Sequence, residues 1–113
     1  MRREGTNEEN VRPEDFLCDF CGNHWGEDRP MVEGHRGSLV CGRCLTIAYT
    51  EVISNGAGEV VPEVVTCVLC LQHQETPHWK GFRENTWACT KCIRQSAAIL
   101  QKDPDSNWKK PAV

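Results

Sequence analysis

The sequence predicts a small metal-stabilised α+β protein in which one short fold is written twice in tandem. Three observations lead there: all eight cysteines fall in Cys-x-x-Cys pairs, the pairs alternate at a nearly repeated spacing, and a helical period begins at the second pair of each repeat. Cys18-Asp19-Phe20-Cys21 is followed after 19 residues by Cys41-Gly42-Arg43-Cys44, and Cys67-Val68-Leu69-Cys70 after 18 by Cys89-Thr90-Lys91-Cys92. A thiolate pair two residues apart grips a metal ion within one tight turn, and a second pair about twenty residues on completes a tetrahedron. The expected ligands are Cys18, Cys21, Cys41 and Cys44 for one zinc ion, and Cys67, Cys70, Cys89 and Cys92 for a second.

Size makes the metal decisive. The 113 residues divide into units of roughly 40, near the limit below which an apolar core alone cannot hold a fold. Structural zinc contributes apparent binding energies of about 10–16 kcal/mol near neutral pH, against a net domain stability of roughly 5–15 kcal/mol. Disulfides are the rival use of these cysteines. The charged N-terminus, Met1-Arg2-Arg3-Glu4, has no apolar export segment behind it, and no stretch approaches the ~20 apolar residues of a membrane span. A reduced, cytoplasmic chain is therefore expected. Iron is disfavoured because rubredoxin-type sites use two knuckles, whereas here the second pair opens a helix. A site closed by four sulfurs has no open position for activating water, so no enzyme is expected.

The chain is read as a disordered tail over 1–14, a first finger over 15–55, a linker over 56–63, a second finger over 64–102 and a C-terminal tail over 103–113. In each finger Phe16-Leu17-Cys18 or Val64-Val65-Thr66-Cys67 leads into a metal-binding turn. Gly22 follows the first knuckle, where the absence of a Cβ lets the backbone approach sulfur, and Leu71 departs from this at the equivalent place. Hairpins come next: Met31-Val32 and Ser38-Leu39-Val40 flank residues 33–37, and Trp79-Lys80-Gly81-Phe82 and Thr86-Trp87-Ala88 flank residues 83–85. Then the period becomes helical, with Leu45, Ala48, Tyr49, Val52 and Ile53 on one stripe and Ile93, Ala97 and Leu100 on the other. Asn55 or Gly56 suits a left-handed cap. Knuckle, hairpin and a helix carrying the second ligand pair make the treble-clef arrangement.

These residues resemble the four-cysteine zinc-binding domain of the bacterial unfoldase ClpX, which reads Cys-x-Phe-Cys-Gly, an apolar-apolar-x-Gly hairpin turn, and an aliphatic residue before Cys-x-x-Cys. Cys18-Asp19-Phe20-Cys21-Gly22, Met31-Val32-Glu33-Gly34 and Val40-Cys41-Gly42-Arg43-Cys44-Leu45 match in order. The second unit keeps the cysteine spacing and loses the Phe-Cys-Gly detail. The sequence carries no Gly-x-x-x-x-Gly-Lys-Ser/Thr phosphate loop, so the ATPase module of that family is missing from it. The resemblance implies a dimeric module that docks substrates and adaptors, with a Clp-type unfoldase, client or adaptor as the protein partner. It also implies that a covalent tandem mimics the dimer within one chain, as a monomeric pseudo-dimer or a homodimer.

The competing readings are a nucleic-acid-binding finger and a redox sensor that releases zinc on thiol oxidation. Four-thiolate sites take the chain from −3 to about −7 when loaded, which disfavours general nucleic-acid binding. Arg29, Arg36, Arg43, Lys80, Arg83, Lys91 and Arg94 lie in or after the hairpins, as solvated surface or as a patch for an anionic partner. His24, His73, His35 and His78 are expected at the surface or beside the ligands. Trp79 and Trp87, aligned with Met31 and Leu39, are expected to pack on the helix. Trp108 either docks on another protein or folds back onto the second unit.

Overall fold

Each cysteine repeat forms the same local structure, and the two copies share one core. The structure is a computed structural model that describes residues 1–111, so the end of the expected 103–113 tail lies outside the described residues. Strands β1 (Met31–Glu33) and β2 (Leu39–Cys41) pair antiparallel with Val32 opposite Val40. Helix α1 (Gly42–Ala48) follows directly and continues as a π-helical segment, Tyr49–Ser54. The second copy has β3 (His78–Lys80) paired with β4 (Trp87–Cys89), Trp79 opposite Ala88, then helix α2 (Thr90–Lys102). The result is a small α+β fold with two two-stranded antiparallel sheets.

The register revises the internal alignment. Val32, not Met31, is the counterpart of Trp79, and His78 takes the place of Met31. The second hairpin begins a residue earlier than expected, which leaves Phe82 in the turn and 66% exposed. Val64 also departs from its expected extended lead: it lies in a turn closed by the Val65 amide on the Pro62 carbonyl, and is 89% exposed. The helical stripe is buried as read at Leu45, Ala48, Tyr49 and Val52, while Ile53 is half-buried because the wider π turns rotate it outward. Gly56 takes the left-handed φ of +61° just past the helix, and the Asn55 and Ala57 amides close on Thr50 and Glu51 carbonyls.

Between the copies the contacts are reciprocal. The His35 amide, in the first hairpin turn, donates to the Leu69 carbonyl of the second knuckle at 2.8 Å. The Phe82 amide, in the second hairpin turn, donates to the Phe20 carbonyl of the first knuckle at 2.9 Å. Phe20 and Leu69 occupy the same place in their Cys-x-x-Cys pairs, so each unit grips the other by the same device. This is the isologous logic of a twofold dimer within one chain. Helices α1 and α2 touch, and a single buried cluster runs from Cys18 and Phe20 through Leu45 and Val52 to Trp79, Ile93 and Leu100. Trp79 packs across the boundary, its ring 5.5 Å from Phe20, rather than only on its own helix. Trp87 is half-buried. The radius of gyration is 13.7 Å, close to the ~13 Å of a compact 100-residue domain.

Residues toward both ends of the described chain are tied to this body. Arg2 pairs with Phe16, and the Met1 amino group donates to the Leu17 carbonyl and to the Asp19 carboxylate, each at 3.0 Å. At the other end Trp108 folds back on the first unit, not the second. Its indole Nε1 donates to the Gly42 carbonyl at 3.0 Å and to Thr46 Oγ1 at 2.8 Å. The ring lies in a notch at Gly42, where a Cβ would stand 3.0 Å from Trp108 Cδ1.

Candidate metal centres

Two tight turns and two helix N-termini bring the eight predicted cysteines into two groups of four. Sulfurs of Cys18, Cys21, Cys41 and Cys44 lie within 4.8 Å of one another, as do those of Cys67, Cys70, Cys89 and Cys92. Each knuckle turn is closed in the same way: the Gly22 amide donates to the Cys18 carbonyl and the Leu71 amide to the Cys67 carbonyl, both at 2.8 Å. The third cysteine of each group is a helix N-cap. Cys41 Sγ accepts from the Cys44 amide at 3.4 Å, and Cys89 Sγ from the Cys92 amide at 3.5 Å. Backbone donors also reach the first sulfurs, Cys41 N to Cys18 Sγ and Cys89 N to Cys67 Sγ, each at 3.4 Å. Such donors and the positive helix end favour thiolate over thiol.

The edge lengths suit a metal. Zinc–sulfur bonds of about 2.3 Å in a tetrahedron require sulfurs about 3.8 Å apart. Cys18 to Cys44 and Cys21 to Cys41 are each 3.8 Å, and Cys70 to Cys89 is 4.0 Å. A disulfide would need about 2.05 Å, and all eight thiols are free. Four soft thiolates in a tetrahedral array fit zinc, one ion per group. In that role the two groups would clamp knuckle to helix.

Proton sharing within each group shows why a cation is wanted there. Hydrogen bonds from Cys18 and then Cys44 hold the Cys41 thiol down at about 4. Hydrogen bonds from Cys89 and Cys92 likewise carry Cys67 well below the ordinary thiol range. Their neighbours retain the protons: Cys44 is raised by its hydrogen bonds to Cys18 and Cys41, and Cys92 by those to Cys67 and Cys89. Cys89 is pushed up to about 11, chiefly by its hydrogen bond to Cys67. A divalent ion removes this conflict by letting all four deprotonate.

No histidine joins either group. His24 is exposed, with Nδ1 2.8 Å from its neighbour's carbonyl, and His73 Nδ1 lies 3.0 Å from the Val65 carbonyl. His35 is exposed in the first hairpin turn. His78 is the exception to the expected surface position: it is 1% exposed, with Nδ1 2.7 Å from the Thr76 carbonyl and no partner for Nε2 among the described residues. Its strand position opposite Cys89 puts it in the core. Compared with known protein families, curated proteins and solved structures, the chain matches none of them. No helix among the described residues is long and apolar enough to cross a membrane.

Two grooves flank the metal centres, and sequence reading did not anticipate them. One, about 250 Å³, is lined by Cys21, Arg43, Cys44 and Phe82; the other, about 330 Å³, by Cys70, Lys91, Cys92 and His35. In both, a basic residue on the helix's first turn and a hairpin-turn residue of the opposite unit bracket two sulfur-bearing residues. A glycine in each hairpin turn, Gly34 and Gly81, was the available signal.

Proposed function

We propose that the chain is a non-enzymatic zinc protein whose tandem treble-clef fingers, of the ClpX zinc-binding-domain type, form a protein-docking module. The observation that supports this reading is the reciprocal grip of hairpin turn on knuckle, His35 to Leu69 and Phe82 to Phe20. It gives one chain the pseudo-twofold body that two copies of a single-finger domain would build. Zinc acts structurally, since four sulfurs close each site and leave no position for a substrate. Function then resides in surfaces that the metal holds in place. The groove beside the first cysteine group is lined by exposed Phe82 and by Arg43 with no carboxylate, a combination suited to apolar-acidic peptide segments, while the other sets Glu33 beside Ile99 and Lys91.

The partner class is a Clp-type unfoldase, one of its clients or an adaptor. Binding of the zinc-loaded protein to a purified Clp-type unfoldase and to its adaptors tests this by titration calorimetry. Binding that disappears on chelation and weakens in Phe82→Ala supports the proposal; no binding to any member of the class removes the Clp assignment.

A further inference from the structure

We propose that a cavity between α2, the π-helical segment and the C-terminal segment binds a phosphate dianion or phosphate monoester. It is a half-open recess of about 230 Å³ lined by Tyr49, Arg94, Gln101, Lys102 and Lys110, together with the small side chains of Ala97 and Ala98. Three cations and no carboxylate line it, on a chain whose net charge is −3. The two ion pairs among the described residues, Met1 with Asp19 and Arg2 with Glu8, involve none of the three.

The convergence is built by the fold. Arg94, Ala98, Gln101 and Lys102 follow the i, i+4, i+7, i+8 spacing that sets residues on one helix face. Lys110 arrives from the C-terminal segment, which is held at Lys110, whose amide donates to Gln101 Oε1 at 2.8 Å, and two residues earlier, where Trp108 is anchored on Gly42 and Thr46. Tyr49, buried to 5% exposure, backs the cavity from the first unit. Three like charges held together repel, and an anion between them reverses the sign of that interaction. Arginine's planar fork and two lysine point charges are the usual means of holding phosphate oxygens. Three cations around one half-open recess favour a dianion over the single charge of a phosphodiester. The inference stands apart from the docking proposal, because the cavity lies away from both grooves in residue content.

The test is amide NMR of the zinc-loaded chain titrated at constant ionic strength with inorganic phosphate, methyl phosphate and dimethyl phosphate. Phosphate and methyl phosphate are expected to give saturable shifts over the second half of α2 and residues 106–110, with Kd on the order of 1 mM. Arg94→Gln and Lys102→Gln, both at exposed positions, should each weaken binding about tenfold while zinc content and spectral dispersion stay unchanged. The absence of saturable shifts up to about 50 mM phosphate overturns the proposal. So does equal binding of dimethyl phosphate, or an affinity unaffected in the Arg94→Gln, Lys102→Gln double variant.

Discussion

Gly34 lies against Leu69 so closely that a Cβ on the glycine would stand 2.6 Å from the Leu69 carbonyl oxygen and 3.0 Å from its Cα. At the other end of the pseudo-twofold the neighbours are side chains: a Cβ on Gly81 would meet Thr86 Oγ1 of its own unit at 2.5 Å and the Phe20 ring of the first knuckle at 2.8 Å. Both glycines sit beside the hairpin-to-knuckle hydrogen bonds. The unit–unit interface is thus set by one backbone-on-backbone approach, at Gly34, and one backbone-on-ring approach, at Gly81.

Gly34→Ala should therefore loosen the two units from each other. The obstacle is backbone, which cannot swing aside, and forced shifts of this kind cost about 1–3 kcal/mol. Denaturant unfolding at fixed free zinc should show that loss, with two zinc ions still bound. A stability equal to that of the parent protein would contradict the packing described for this turn.

Leu71 offers the opposite experiment. Gly22 and Leu71 close equivalent knuckles at φ of +78° and +61°, and Leu71 is 44% exposed with little packing to lose. A left-handed conformation costs a non-glycine residue roughly 1–2 kcal/mol, partly offset by the extra freedom glycine gives the unfolded chain. Leu71→Gly is expected to raise stability by about 1 kcal/mol with unchanged zinc stoichiometry. A clear drop in melting temperature would show that the side chain contributes more than the strain removes.

The shared core makes the fingers interdependent. Cys41→Ser should leave one zinc ion bound by native mass spectrometry, yet also disturb the second unit, because Trp79 packs on Phe20 of the first knuckle. The readout is near-ultraviolet circular dichroism in the tryptophan region. Retention of the full aromatic signal alongside loss of one zinc would mean that the second finger folds alone.

Zinc retention should fall with pH, and the sign follows from which thiols keep protons. Cys44 and Cys92 are raised and Cys89 sits at about 11, so metal entry must expel their protons; Cys41, at about 4, is already a thiolate. Lower pH opposes that expulsion and higher pH favours it, so affinity and with it folded stability decline as acid is added. A chromogenic zinc dye should report release between about pH 7 and about pH 4, and a weakly buffered zinc titration should acidify. Zinc held without loss across that range would refute the proton competition.

Trp108→Phe keeps an aromatic ring in the notch but removes the indole N–H and with it both contacts, to the Gly42 carbonyl and Thr46 Oγ1. About 1 kcal/mol of stability should go with them. Amide exchange over residues 106–110 should quicken while α1 stays protected. Unchanged exchange there would show that the indole N–H does not hold the segment.

The spacing of Cys18, Cys21, Cys41 and Cys44, and of their four counterparts, was enough to announce two four-sulfur groups, because ligand geometry is local: a knuckle turn and a helix N-cap each place two sulfurs within a few residues. The helical stripe from Leu45 to Val52 was legible for the same reason. The hairpins were legible in kind but off by a residue, since the two units differ in length both before the strand and within the turn, and cysteine spacing reports only the sum. What tertiary structure alone decided was the use of surfaces. Trp79 read as packing on the helix of its own unit, yet it meets Phe20 of the other; Trp108 could be placed only once the Gly42 notch of the first unit lay beside Leu100 of the second. Such contacts join residues some 60 positions apart in the chain. They depend on how two bodies dock, and docking is fixed by backbone approach and shape complementarity, which no short run of side chains encodes.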